Sequence, residues 1–258
     1  MMINWPFVGV LFVLSIPGIL IAVPRLIRFL LKTSSEELKR RISKIAVGQT
    51  LLMVFVMSMA GSVLSIPTGL GAKALAMLLS AHPHLDFWQD TALFMFLYTA
   101  GGLLVFLVLY YGVVSCFLDA TALLQLQKIR AAIGLDGSML YSVAEEILAR
   151  WGLLNVCAFF AILFSQQRHA IIICSAIFMQ AILYALSQLP LYLAAGCTRD
   201  RRFLYSFLLL YGWQGILFGF IFWQFGILAT IIAHMLFHAG WWIYDKPESL
   251  PENVSCKR

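Results

Sequence analysis

The sequence predicts an all-α fold, a polytopic transmembrane bundle of seven helices with room for an eighth. Three observations predict it. Hydrophobic residues make up 62% of the chain and charged residues only 12%, against roughly 25% charged in a soluble domain. The mean hydropathy is +0.89. The apolar runs are continuous, not alternating, which argues for helices over a membrane β-barrel. One transmembrane domain is expected over 1–243, with a polar cytoplasmic tail over 244–258.

A helix needs about 20 apolar residues to cross the hydrocarbon layer. On that measure the spans fall near 6–24, 46–66, 91–117, 144–165, 170–194, 203–223 and 225–243. An eighth helix, short or interfacial, fits at 70–81 or at 118–131. Pro17 is expected to kink the first span. That span has no basic leader and is followed by Arg25 and Arg28, unlike a cleavable signal peptide.

Loop charges give the orientation. Arg25, Arg28, Lys32, Lys39, Arg40, Arg41 and Lys44 crowd the first connection, which reads as a solvated loop touching anionic headgroups. Lys128 and Arg130 lie in the third connection, and Arg199, Arg201 and Arg202 in the fifth. The other connections are poor in basic residues. This alternation places the N-terminus outside and the C-terminus in the cytoplasm. The net charge of +6 is therefore a topology signal, and no nucleic-acid partner is implied. The bilayer itself is the expected surrounding. The five cysteines, at 116, 157, 174, 197 and 256, show no metal-ligand spacing and read as buried free thiols.

Against this background Glu145, Glu146 and Arg150 stand out. An ionisable group inside a membrane costs several kcal/mol by most estimates and marks a functional site by default. With the orientation above, these three enter the fourth span from the cytoplasmic side. Gln188 falls near the cytoplasmic end of the fifth span, and His234 and His238 lie in the inner half of the seventh. All six share one depth. Glu146 and Arg150, at i,i+4, can pair on one face, as can His234 and His238. Glu145 points roughly 100° away from Glu146 and can meet a different neighbour.

These residues carry a resemblance. The chain is similar to the CPBP family of intramembrane proteases, which includes the CAAX-processing Rce1-type enzymes and the Abi proteins. Glu145, Glu146 and Arg150 match the family's EExxxR. Tyr184-Ala185-Leu186-Ser187-Gln188 stands at its FxxxH, with Gln in place of His. His234-Met235-Leu236-Phe237-His238 stands at its HxxxN or HxxxD, with His in the last place. The similarity covers about 130–243, while 1–129 matches only in being hydrophobic.

The resemblance implies a glutamate-dependent endopeptidase without a metal or other cofactor, acting on a membrane-embedded or lipidated peptide. Glu145 would activate a water. Glu146 and Arg150 would support it, His234 would assist the water or the oxyanion, and His238 would stand where the family supplies an oxyanion donor. The Gln188 amide can donate a hydrogen bond but cannot accept a proton for acid–base work. The expected location is a prokaryotic cell (inner) membrane.

Other readings stay open. Without the second-motif histidine, the chain fits a catalytically impaired relative acting as an immunity or regulatory scaffold. His234, His238 and Glu145 also fit a zinc site and hence a zinc-dependent membrane protease, although the chain lacks H-E-x-x-H. Ser142-x-x-Glu145 fits a capping box at a helix start. His234, His238 and Gln188 fit interhelical hydrogen-bonding, and Gly215-x-x-x-Gly219 fits a packing face. His82 and His84, near Asp86 and Asp90, read as a solvated loop or a weak metal site. Trp241, Trp242 and Tyr244 read as an interfacial aromatic belt.

Overall fold

The computed structural model describes residues 3–79 and 85–246. Seven helices are long and apolar enough to cross a membrane: Trp5–Leu30, Glu36–Thr68, Thr91–Phe117, Ala120–Ser165, Ala170–Ala194, Arg201–Phe225 and Ile227–Tyr244. They are called the first to seventh helices below. No strand occurs among the described residues. The chain is an all-helical, integral multi-pass membrane protein. Large apolar side chains such as Leu52, Phe94, Phe164, Ile171 and Ile243 stand exposed on the outside of the bundle, as the hydrocarbon of a bilayer requires.

Local chemistry explains the helix ends. Asn4 caps the first helix by accepting from the Phe7 N–H, and Ser35 caps the second by accepting from the Leu38 N–H. Glu36 and Glu37 in that first turn suit the positive end of the helix dipole. Asp200 caps the sixth helix through the Phe203 N–H. Gly226 is the single residue between the sixth and seventh helices, and its φ of 83° is one that glycine adopts freely. This tight reversal carries His234 back alongside the sixth helix.

The expectations for individual segments are met in part. The basic stretch 25–44 is mostly helix, with only 31–35 left as the connection. Lys and Arg are good helix formers, and the Ser35 cap restarts the helix within the stretch. Pro17 and Pro24 both lie inside the first helix. The expected short helix at 70–81 appears as Lys73–Leu79. The one at 118–131 appears as the segment before Gly134, joined across a kink to the rest of the fourth helix, which is 46 residues long in all. Beyond that kink the helix continues through Glu145 and Glu146, which lie in its interior and not in its first turn.

That long helix is broken at Gly134 (φ 79°, ψ 167°). The break frees carbonyls that need donors. The Arg25 guanidinium donates to the Ile133 carbonyl at 2.8 Å and pairs with Asp136 at 2.6 Å. The first helix thus braces the bend. Gly18 allows the close crossing: a Cβ there would lie 2.1 Å from the Leu140 carbonyl oxygen.

The interior has two apolar clusters. One gathers Leu11, Ile19, Ile147, Trp151, Leu154, Ile177 and Phe222. The other gathers Phe106, Ile129, Phe207, Phe218, Phe237 and Trp241. The fourth and seventh helices contribute to both, so polar groups on their facing sides fall between the two clusters. Gly215 and Gly219 do form a packing face: added Cβ atoms would lie 2.6 Å from Ala181 and 2.8 Å from Ile177.

Two surface readings change. Trp241 is buried, with the Arg130 guanidinium 3.6 Å above its ring, and its indole N–H donates to the Tyr111 hydroxyl. Only Tyr244 of that trio is well exposed. The described cysteines are free as expected, but Cys116 and Cys174 are exposed, not buried.

Candidate active site

Glu146 is fully buried on the fourth helix. Its Oε1 meets Arg150 Nη1 at 3.1 Å and His234 Nδ1 at 2.6 Å. Arg150 is also fully buried. Its Nη2 donates to the Gln214 carbonyl at 3.1 Å. Its guanidinium lies 4.5 Å from the Tyr184 ring centre and 5.4 Å from that of Phe218. The charge of Arg150 is thus matched by a carboxylate, a carbonyl and two aromatic faces.

Winding helps arrange these contacts. From Ile147 to Leu154 the fourth helix is a π-helix, which widens each turn and often marks a functional site. It begins directly after the glutamate pair and carries Arg150.

Glu145 turns the other way. Its side chain keeps 17% of its exposure and lines a cavity of about 160 Å³. Oε1 accepts from Gln188 Nε2 at 3.4 Å. Oε2 faces His234 Nε2 at 3.7 Å. His238 stacks on His234 with ring centres 4.8 Å apart, and Phe218 stacks on His234 at 4.2 Å. Tyr184, Gln188, His234 and His238 share the cavity lining with Glu145.

All six expected residues therefore converge, from the fourth, fifth and seventh helices. The capping-box reading of Glu145 fails, because Ser142 is inside the helix and its hydroxyl donates to the Met139 carbonyl. His82 and His84 lie outside the described residues. His234 bonds across helices, as a structural role would require, yet its Nε2 has no hydrogen-bond partner. Among the described residues, one group of three possible metal donors occurs: Glu145, His234 and His238, with donor atoms within 4.8 Å of one another.

Sequence reasoning missed two members of the site, Phe218 and Arg130, and one buried amide, Gln180, outside the cavity lining. Phe218 sits between the two packing glycines and forms the base of the histidine stack. Gln180 is fully buried, and neither polar atom of its amide has a hydrogen-bond partner. Its signal was the spacing Gln180–Tyr184–Gln188, which puts three polar groups on one face of the fifth helix. Arg130 lines the same cavity and pairs with Asp245 at 3.1 Å. By sequence it reads only as a loop charge.

Residues 127–240 match the family model described as type II CAAX prenyl endopeptidase Rce1-like. That stretch contains all six site residues, and its bounds lie close to the 130–243 expected from the motifs. No curated protein and no solved structure matches the chain.

Proposed function

Starting from an Rce1-like type II CAAX prenyl endopeptidase domain at residues 127–240, we propose that the chain is an intramembrane endopeptidase that uses Glu145 to activate water. The observation that carries this reading is the meeting of Glu145 with His234 at 3.7 Å, from different helices, at a cavity wall.

The roles follow from the contacts. Glu146 accepts from His234 Nδ1–H, which leaves the Nε2 lone pair aimed at Glu145. Arg150 balances Glu146 and holds it in place. A water on the cavity side of Glu145 gives a proton to the carboxylate as its oxygen attacks the peptide carbonyl carbon. The resulting oxyanion takes an N–H from His238, while the Gln188 amide holds the Glu145 carboxylate. Collapse breaks the C–N bond, and the proton held by Glu145 passes to the leaving amine. No cofactor enters these steps.

The cavity is walled by apolar residues including Ala22, Val23, Leu26, Phe106 and Leu126. Such walls favour a membrane-associated or lipidated peptide over a soluble one. The basic residues at 25–44 and 199–202 support placing the site in the cytoplasmic half of the bilayer, with the N-terminus outside.

Cleavage of a lipidated peptide by the purified protein tests the reading. Wild type is expected to cleave, while Glu145→Ala and His234→Ala are expected to fail. Cleavage that survives Glu145→Ala sinks the mechanism. A second reading, a catalytically impaired scaffold, is favoured by the Gln188–Glu145 hydrogen bond, in which an amide that cannot relay protons holds the base. Silent wild type with cleavage appearing in Gln188→His would select that reading.

A further inference from the structure

We infer that Glu145, His234 and His238 also form a binding site for one divalent transition-metal ion, and that occupancy shuts the hydrolytic site. The inhibitory half rests on the reading of Glu145 as the group that activates water; the binding half does not.

The donor set comes first. Two imidazoles one helical turn apart and a carboxylate from another helix bring their donor atoms within 4.8 Å of one another. Two histidines and one glutamate are a known three-ligand set for Zn²⁺. Imidazole donors favour zinc, copper or nickel, whereas magnesium and calcium prefer all-oxygen sites.

Orientation is the second observation. Metal-binding histidines commonly donate their other ring N–H to a carboxylate, which fixes the ring and leaves the free nitrogen toward the ion. His234 has this arrangement. Nδ1 lies 2.6 Å from Glu146, and Arg150 holds Glu146 from behind at 3.1 Å. Nε2 is buried, has no hydrogen-bond partner and faces Glu145 Oε2 at 3.7 Å. Two donors sharing a tetrahedral ion, each about 2.0–2.1 Å from it, stand about 3.4 Å apart. The observed separation is close to that value. His238 is only partly buried, and its imidazole enters the same sphere with a displacement of about an ångström.

The sequence departure now has a consequence. The histidine at position 238, where the resemblance calls for Asn or Asp, supplies the third donor. Inhibition follows from the carboxylates. Glu145 is the acidic residue of the described cavity lining. A metallopeptidase of this ligand type uses a separate glutamate as base, as in H-E-x-x-H. With Glu145 bound to the ion, the neighbouring carboxylate is Glu146, which is sealed against Arg150 and His234. No described acidic group of the cavity then remains to take the proton of water.

The test is metal binding by the full chain in detergent micelles, stripped with a chelator and titrated with Zn²⁺ by calorimetry and with Co²⁺ by visible absorption. Wild type is expected to bind one equivalent in the micromolar range or tighter, with the strong visible bands of a four-coordinate Co²⁺ site. Glu145→Gln and His238→Ala are each expected to weaken binding by about tenfold or more, with thermal unfolding as the control for folding. No binding, or equal binding by wild type and both variants, overturns the site, since other histidines or the cysteines would then be the donors. In the cleavage assay, Zn²⁺ is expected to inhibit wild type over its binding range, and the chelator to restore activity. Activity lost on stripping and regained with Zn²⁺ overturns the inhibitory role. Binding that depends on Glu145 and His238, in a protein that cleaves nothing, leaves the site standing and removes the protease reading; cleavage without metal binding does the reverse.

Discussion

Glu145 and Glu146 are neighbours in the chain and stand in opposite surroundings. The Glu146 side of the site is sealed: Glu146 and Arg150 are fully buried, and His234 is 1% exposed. The Glu145 side opens on a cavity, and its partners Gln188 and His238 are only partly buried. A sealed ion pair tolerates no loss of a partner, because the remaining charge is left buried alone. A carboxylate on a cavity wall can change protonation, ligand or position at lower cost. One wall holds geometry and the other is available for chemistry, and a single peptide bond separates them.

Four substitutions break or sharpen that contrast, in descending order of expected effect. Glu145→Gln keeps the shape and removes the base, so cleavage should fall by about 10²–10⁴-fold while thermal unfolding in detergent stays close to wild type. Retained cleavage would erase the division between the walls. Arg150→Ala strikes the sealed side and should lower stability by about 3–5 kcal/mol, read by chemical or thermal unfolding. A stability equal to that of wild type would mean that Glu146 is not held as described. Gly18→Ala touches neither wall, but it drives a Cβ to within 2.1 Å of the Leu140 carbonyl. Overpacking of this kind costs about 1–3 kcal/mol. It should also reduce kcat, because Leu140 lies in the helix segment that carries Glu145. Gln188→Ala removes one hydrogen bond at the open wall, worth about 1 kcal/mol, and should slow cleavage roughly fivefold with unfolding almost unchanged. A large loss of stability there would move Gln188 to the structural side.

Much of the fold was legible in the sequence because the bilayer imposes a simple code of length and hydropathy. The fifth span matches its expected limits of 170–194, and the third ends where expected, at Phe117. The errors have a common origin in contacts between distant segments. Trp241 looked interfacial because its covering residue, Arg130, lies over a hundred positions away. The segment before Gly134 was legible as a short piece of its own, but nothing local shows that Arg25 braces the bend there. The π-helical turn after Glu146 has no signature that a 3.6-residue period would reveal.

The candidate site divides in the same way. Glu145, Glu146, Arg150, His234, His238 and Gln188 could be chosen by sequence because charge and amide groups are costly inside a membrane, and loop charges set them at a shared depth. Their convergence was therefore an expectation of physics as much as of resemblance. Depth does not fix azimuth. Only packing decided that Glu146 would be sealed by Arg150 and His234 while Glu145 met Gln188 and the cavity. A helix about its own axis has no preferred rotation until neighbours fill its grooves. The sequence by itself determined a membrane bundle with six polar groups at one level. The tertiary structure decided which glutamate is sealed and which lines the cavity, because that depends on which helix face each neighbour covers.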